Sequence, residues 1–310
     1  MRAGLENYAG QEDWNNAAII ASNLSELDLT LGEVAGAVGD AEQSVSHADR
    51  SGEAFTRLAN RTVSADALHH AGRRAEAEAR FREAEQMQAE REPEYPLLYS
   101  VPGIQYCDLL LTEAERAAWE VSCSGGLRPP EDGGAHAATL QAVSERAAQT
   151  LKWEEGMRGA PLLDFALHHL TLGRAALYAA ILAGSSLDPC HTSLEHAVDG
   201  LRRAGAQHHL PRGLLTRAWL RFLEGRRTGP ESAQSDLTEA WEIAERGPMK
   251  LHMADIHLHR ARLFFREAQY PWASPAADLA AARELIDKCG YGRRKEELED
   301  AERVIGGSGA

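Results

Sequence analysis

The sequence predicts an all-α chain, built as a solenoid of antiparallel helical hairpins. Two observations carry that prediction. Aromatic residues make up only 6 % of the chain, while Ala, Leu, Glu and Arg dominate, a bias toward helix. No segment alternates β-branched and aromatic residues in the manner of a strand. The second observation is a packing pattern that recurs: Ala77, Phe81, Ala84, then Ala197, Leu201, Ala204, then Ala233, Leu237, Ala240. Two small residues with a larger apolar one between them mark a helix packed closely on its neighbours. Recurrence at tens of residues marks stacked repeats rather than one globular core.

The elements follow in order. Helices at 13–30 and 33–48 flank Gly32, and Leu24, Leu27 and Leu31 form one apolar stripe. Helices at 53–71 and 74–91 flank Gly72, and Glu92-Pro93 stops the second. Tyr95–Leu111 reads as a helix interrupted or preceded by Pro102-Gly103. Thr112 with Glu115 then reads as a capping box opening a new helix to about Val121. Residues 123–135, with two Gly-Gly pairs and Pro129-Pro130, read as an exposed loop dividing a block at 1–122 from one at 136–305. Further helices fall at 136–155, 161–184, 188–205, 211–223, 231–246, 249–267, 275–288 and 293–304, before a flexible tail at 306–310. The total is about twelve helices in six hairpins. The chain enters its first helix with no capping repeat. Leu5, Tyr8 and Trp14 suggest an upstream neighbour and hence a fragment of a longer protein.

Net charge is −14, which argues against a nucleic-acid backbone as the main partner. The charge is uneven. Residues 1–50 carry 9 acidic and 2 basic groups, whereas 201–250 carry 6 acidic and 9 basic ones. Arg202, Arg203, Arg212, Arg217 and Arg221 could form a local basic face; a solvated helix face is the plainer reading. Four cysteines without a C-x-x-C pair read as buried free thiols in a reducing compartment. The N-terminus has no apolar core of a signal peptide, and no run of about 18 apolar residues stands out, so a cytoplasmic location away from membranes is expected.

The hairpin at 53–91 resembles a tetratricopeptide repeat. That repeat carries W-x2-L-G-x2-Y on its first helix and A-x3-F on its second. Here the second half stands as Ala77-x3-Phe81-x2-Ala84, with Ala65 as the small residue of the first helix and Gly72 at the turn. The hairpin at 13–48 keeps Leu24, Ser25, Gly32, Ala37 and Ala41, and the last one keeps Pro275, Leu279 and Ala282. The tryptophan and tyrosine positions hold Arg61 and Leu68, the closing proline is missing, and the turn glycines lie 40 rather than 34 residues apart. The resemblance implies a right-handed superhelix whose inner helices line a groove for a protein or peptide ligand. The longer repeats also resemble the C-terminal sensor arrays of bacterial NB-ARC or MalT-like signalling ATPases, through segments such as 200–205 and 240–246. That implies an upstream effector or ATPase domain.

In the repeat register Ser22, Glu26, Thr30, Thr62, Asp66, His69 and His70 face the groove, and Asp255, Leu258 and His259 extend it. Asp66 and His70, Asp164 and His168, and Asp255 and His259 are each four apart, which sets carboxylate beside imidazole on one helix face. Such pairs could bind a charged peptide or respond to pH. The plainer reading is an exposed pair worth about 0.2–0.5 kcal/mol. Adjacent histidines at 69–70, 168–169 and 208–209 diverge on a helix, and H-E-x-x-H is absent, so no metal site is expected. No phosphate-binding glycine loop, G-x-S-x-G or kinase signature occurs, so neither cofactor nor catalytic residues are assigned. Two other classes stay open: a receptor for a small ligand or signalling peptide, which needs an internal pocket, and an enzyme, which needs the Asp–His pairs to converge.

Overall fold

The computed structural model describes residues 1–124 and 133–307, which are 81 % helix and contain no strand. Fourteen α-helices occur among them, packed in neighbouring pairs, an arrangement consistent with an α-solenoid. The chain forms two compact units. One comprises residues 1–109 with 286–295, the other 110–285 with 296–310.

The first unit opens with α1 (Arg2–Gly10), a helix the sequence reading did not foresee. It has no side-chain cap; it forms because Leu5 is buried against Ala17, Ala21 and Leu24, with Tyr8 and Ile20 packed alongside. Two of the residues expected to meet an upstream neighbour are thus used within the unit. The third, Trp14, stacks on His47 and lies under the Arg50 guanidinium. Next come α2 (Trp14–Leu31) and α3 (Val34–Ser51). Asp13 caps α2 by accepting from the Asn16 N–H. At its other end Gly32 takes φ +80°, and the Gly32 and Glu33 amides donate to Leu29 and Asp28, closing the helix in a Schellman turn.

The second pair is α4 (Ala54–His70) and α5 (Arg74–Arg91). Helix α3 packs on α4, and α2 also touches α4, so first helices of successive hairpins meet directly. Ala77, Phe81 and Ala84 are fully buried, and Phe81 stacks on Tyr106 with ring centroids 5.0 Å apart. Tyr106 lies on α6 (Ser100–Ser124), one unbroken helix rather than two. Pro102 sits in its first turn, where its missing N–H costs nothing. Thr112 and Glu115 are interior, not a start.

The second unit holds the rest of α6, α7 (Gly133–Gly156), α8 (Leu162–Ala183), α9 (Asp188–Arg203), α10 (Leu210–Leu223), α11 (Ala233–Arg246), α12 (Lys250–Phe264), most of α13 (Pro275–Cys289) and α14 (Lys295–Gly307). The supposed loop at 123–135 is therefore helical at both ends; its middle, 125–132, lies outside the described residues. Gly306 and Gly307 belong to α14, and 308–310 of the expected tail also lie outside. Helices α8, α10 and α12 touch in series, with α9 and α11 as their partners. The recurring motif is the contact surface: Ala197 and Leu201, like Ala233, Leu237 and Ala240, are fully buried, and Ala204 half-buried.

This core carries many ion pairs. Arg217 donates to both Asp236 oxygens at 2.8 and 3.1 Å, and Arg221 adds a third bond at 2.9 Å. Those two arginines are buried, so they offer no basic face; Arg202 is paired with Glu239. Trp119 stacks on Trp219, while Arg262 lies over the Trp119 ring and donates to Glu297. Helix α8 alone among the described helices is long and apolar enough to cross a membrane. Its apolar window is 61 % buried, and Arg174 on it pairs with Glu115, which marks a core helix of this fold. The four cysteines are buried, and no disulfide joins them among the described residues.

Candidate functional site

In the first unit, α2, α4 and the start of α6 present one polar surface. Glu26 of α2 remains exposed, and Asp66 of α4 is half-buried. The surrounding helices partly desolvate Glu26, and Asp66 repels it, so its carboxyl is held above the usual range. Gln105 of α6 donates from Nε2 to Asp66 Oδ2 at 3.3 Å. His70, one turn on, places Nδ1 2.9 Å from the Asp66 carbonyl and 3.7 Å from its carboxylate. The opposite side of the His70 ring environment is set by Tyr291, stacked at 5.8 Å with planes 13° apart.

Beneath this surface lies a buried charge pair. Arg293 donates to both oxygens of Asp108 at 2.5 and 3.1 Å, and their side chains are 3 % and 2 % exposed. His69 Nε2 lies 3.6 Å from Asp108, too far for a hydrogen bond. Burial, and then the Arg293 charge, lower the His69 pKa to about 3 despite Asp108, so the ring is neutral. Tyr291 and Arg293 reach this place because backbone meets backbone. A Cβ on Gly292 would stand 2.2 Å from the Ala71 carbonyl oxygen, and one on Gly72, at φ +78°, 2.8 Å from Gly292 C.

The remaining groove candidates are distributed as follows. Ser22 and Thr30 are half-buried and bond their own helix through Ile19 O and Glu26 O. Thr62 is buried and donates to Ala59 O. Asp255, Leu258 and His259 are buried in the second unit; His259 bonds the Asp255 carbonyl and meets Trp119 edge-on. Of the ten candidates, the structure thus sets Glu26, Asp66 and His70 together at a surface, with His69 underneath.

The three Asp–His pairs differ in their surroundings. His168 is buried with Nε2 3.1 Å from Glu154, a partner on another helix, and His259 packs on an indole. Among the described residues no group of three or more His, Cys, Asp or Glu is placed to hold a metal ion. The sequence reading missed Gln105, Asp108, Tyr291 and Arg293, for which no local signal exists. Neither the protein-family models nor the curated proteins searched give a match to this chain.

Proposed function

We propose that the chain is a protein- or peptide-binding scaffold of tetratricopeptide type, a right-handed superhelix that takes an extended basic segment on the α2–α4–α6 surface. One observation carries this reading: first helices of successive hairpins set Glu26 and Asp66 on one face, and their mutual repulsion favours a cation between them. The acidic excess of residues 1–50 adds long-range attraction for such a segment. Gln105 and His70 supply polar contacts beside the carboxylates. In this reading the protein is a cytoplasmic recognition module without catalysis. If attached to an effector or ATPase domain, it would transmit binding to it.

The test is titration of the chain with a fluorescent peptide rich in Lys and Arg, against a Glu26→Gln, Asp66→Asn variant. We expect the variant to bind at least about tenfold more weakly, equivalent to about 1.4 kcal/mol, and the difference to shrink with salt. Equal affinity in the two proteins overturns the reading.

A further inference from the structure

The second unit contains a buried cation with no acceptor among the described residues. Arg260 of α12 is 7 % exposed, and its Cζ lies 4.8 Å from the Trp241 ring centroid and 4.7 Å from that of Trp272. No hydrogen-bond acceptor among the described residues takes its N–H groups, and Nε is sealed from solvent without a partner. A guanidinium carries five in-plane donors, and contact with ring faces uses none of them. Burial lowers its pKa, opposed by Asp278 and Tyr270.

Asp278 is the anion at hand, but both of its oxygens are engaged elsewhere. Oδ1 lies 2.5 Å from His257 Nδ1, and Oδ2 accepts from the Tyr270 hydroxyl. Asp278 therefore balances the charge of Arg260 through space and leaves the donors unspent. The walls are fixed: Trp272 is held edge-on by Phe264 and Tyr270, and Trp241 by His257. The two indoles and Tyr270 are each half-buried, so the cluster reaches the surface. A charge donor flanked by indoles, with little competing water, binds an oxyanion far more strongly than an exposed arginine does.

We propose that Arg260, between Trp241 and Trp272, is the recognition group of an oxyanion-binding site that takes a carboxylate or phosphate. It is independent of the acidic surface on the first unit and requires the opposite charge in its ligand. The net charge of −14 repels anions in general, so saturable binding must come from a local site.

The experiment is isothermal titration of the full chain with sodium phosphate and, separately, sodium acetate, at ionic strength held constant with sodium chloride. The titrations are repeated on Arg260→Met, which keeps a long apolar stem between the indoles, and on Arg260→Lys, which keeps the charge but not the fork. We expect one saturable site, weakened at least about tenfold in Arg260→Met and also weakened in Arg260→Lys; a tenfold change is the scale of one charge-assisted contact. Preference for phosphate or for acetate identifies the source group. Saturation by neither anion in the wild-type chain, or unchanged affinity in both variants, overturns the site and leaves Arg260 a packing residue. If Arg260→Met fails to fold by circular dichroism, Arg260→Lys decides.

Discussion

His69 is a histidine that folding keeps neutral. Its ring is sealed beside Arg293, and its pKa falls to about 3, against the ordinary 6.5 that it regains on unfolding. Between those values the unfolded chain binds one proton more than the folded one, so stability rises with pH through that window and levels off above it. The slope is about 1.4 kcal/mol per pH unit for one such group. Burial lowers His47, His169, His208 and His209 as well, so their contributions add in the same direction. We expect the urea midpoint to fall clearly from pH 7 to pH 5, and a His69→Gln variant to show a shallower fall. A midpoint indifferent to pH over that range, or an identical slope in the variant, would contradict this account. The same scale explains why Asp66 and His70 were readable in advance: they are four residues apart on one helix, and their contact is local. Asp108 was not readable, because the group that neutralises it lies 185 residues further on.

At the scale of elements, what is local was legible. Asp13, Gly32, Gly72 and Ser232 bound their helices through caps and turns made by the next few residues, and those boundaries agree with the sequence within a residue or two. Two elements were misread for a physical reason. The Thr112 and Glu115 pair has the form of a capping box, yet Glu115 is buried and accepts from Arg174 of α8 at 2.9 Å. Helix α1 exists only because α2 covers Leu5. Helices α10 and α12 are buried nearly all round, so neither shows the one-sided stripe that predicts a groove face. The docking of Gly292 on Ala71 gives a sharp test. An alanine there meets backbone rather than a yielding side chain, and the cost of such overpacking is about 1–3 kcal/mol. Gly292→Ala should lower the thermal midpoint and speed amide exchange at the C-terminal end of α4. Unchanged values for both would mean that this contact is not the constraint described.

At the scale of the whole molecule, successive first helices touch within each unit, as α2 does α4 and α8 does α10, and such nearest-neighbour arrays gain most of their contacts from nearby sequence. The first unit departs from that economy, because residues 286–295 complete it. During synthesis, Asp108 must wait for Arg293 while 185 residues are added, roughly 10–40 s at about 5–20 residues per second. For that interval Asp108 lacks its contact with Arg293, and α4 lacks the turn that covers its end. Ribosome-arrested chains should therefore keep residues 54–109 open to protease until the segment through 295 has left the exit tunnel, and become resistant only then. Early resistance would mean that the unit closes without its last piece. Otherwise the first unit stays unfinished for that interval, a window in which a chaperone or a premature partner could engage the α4 end before the chain itself does.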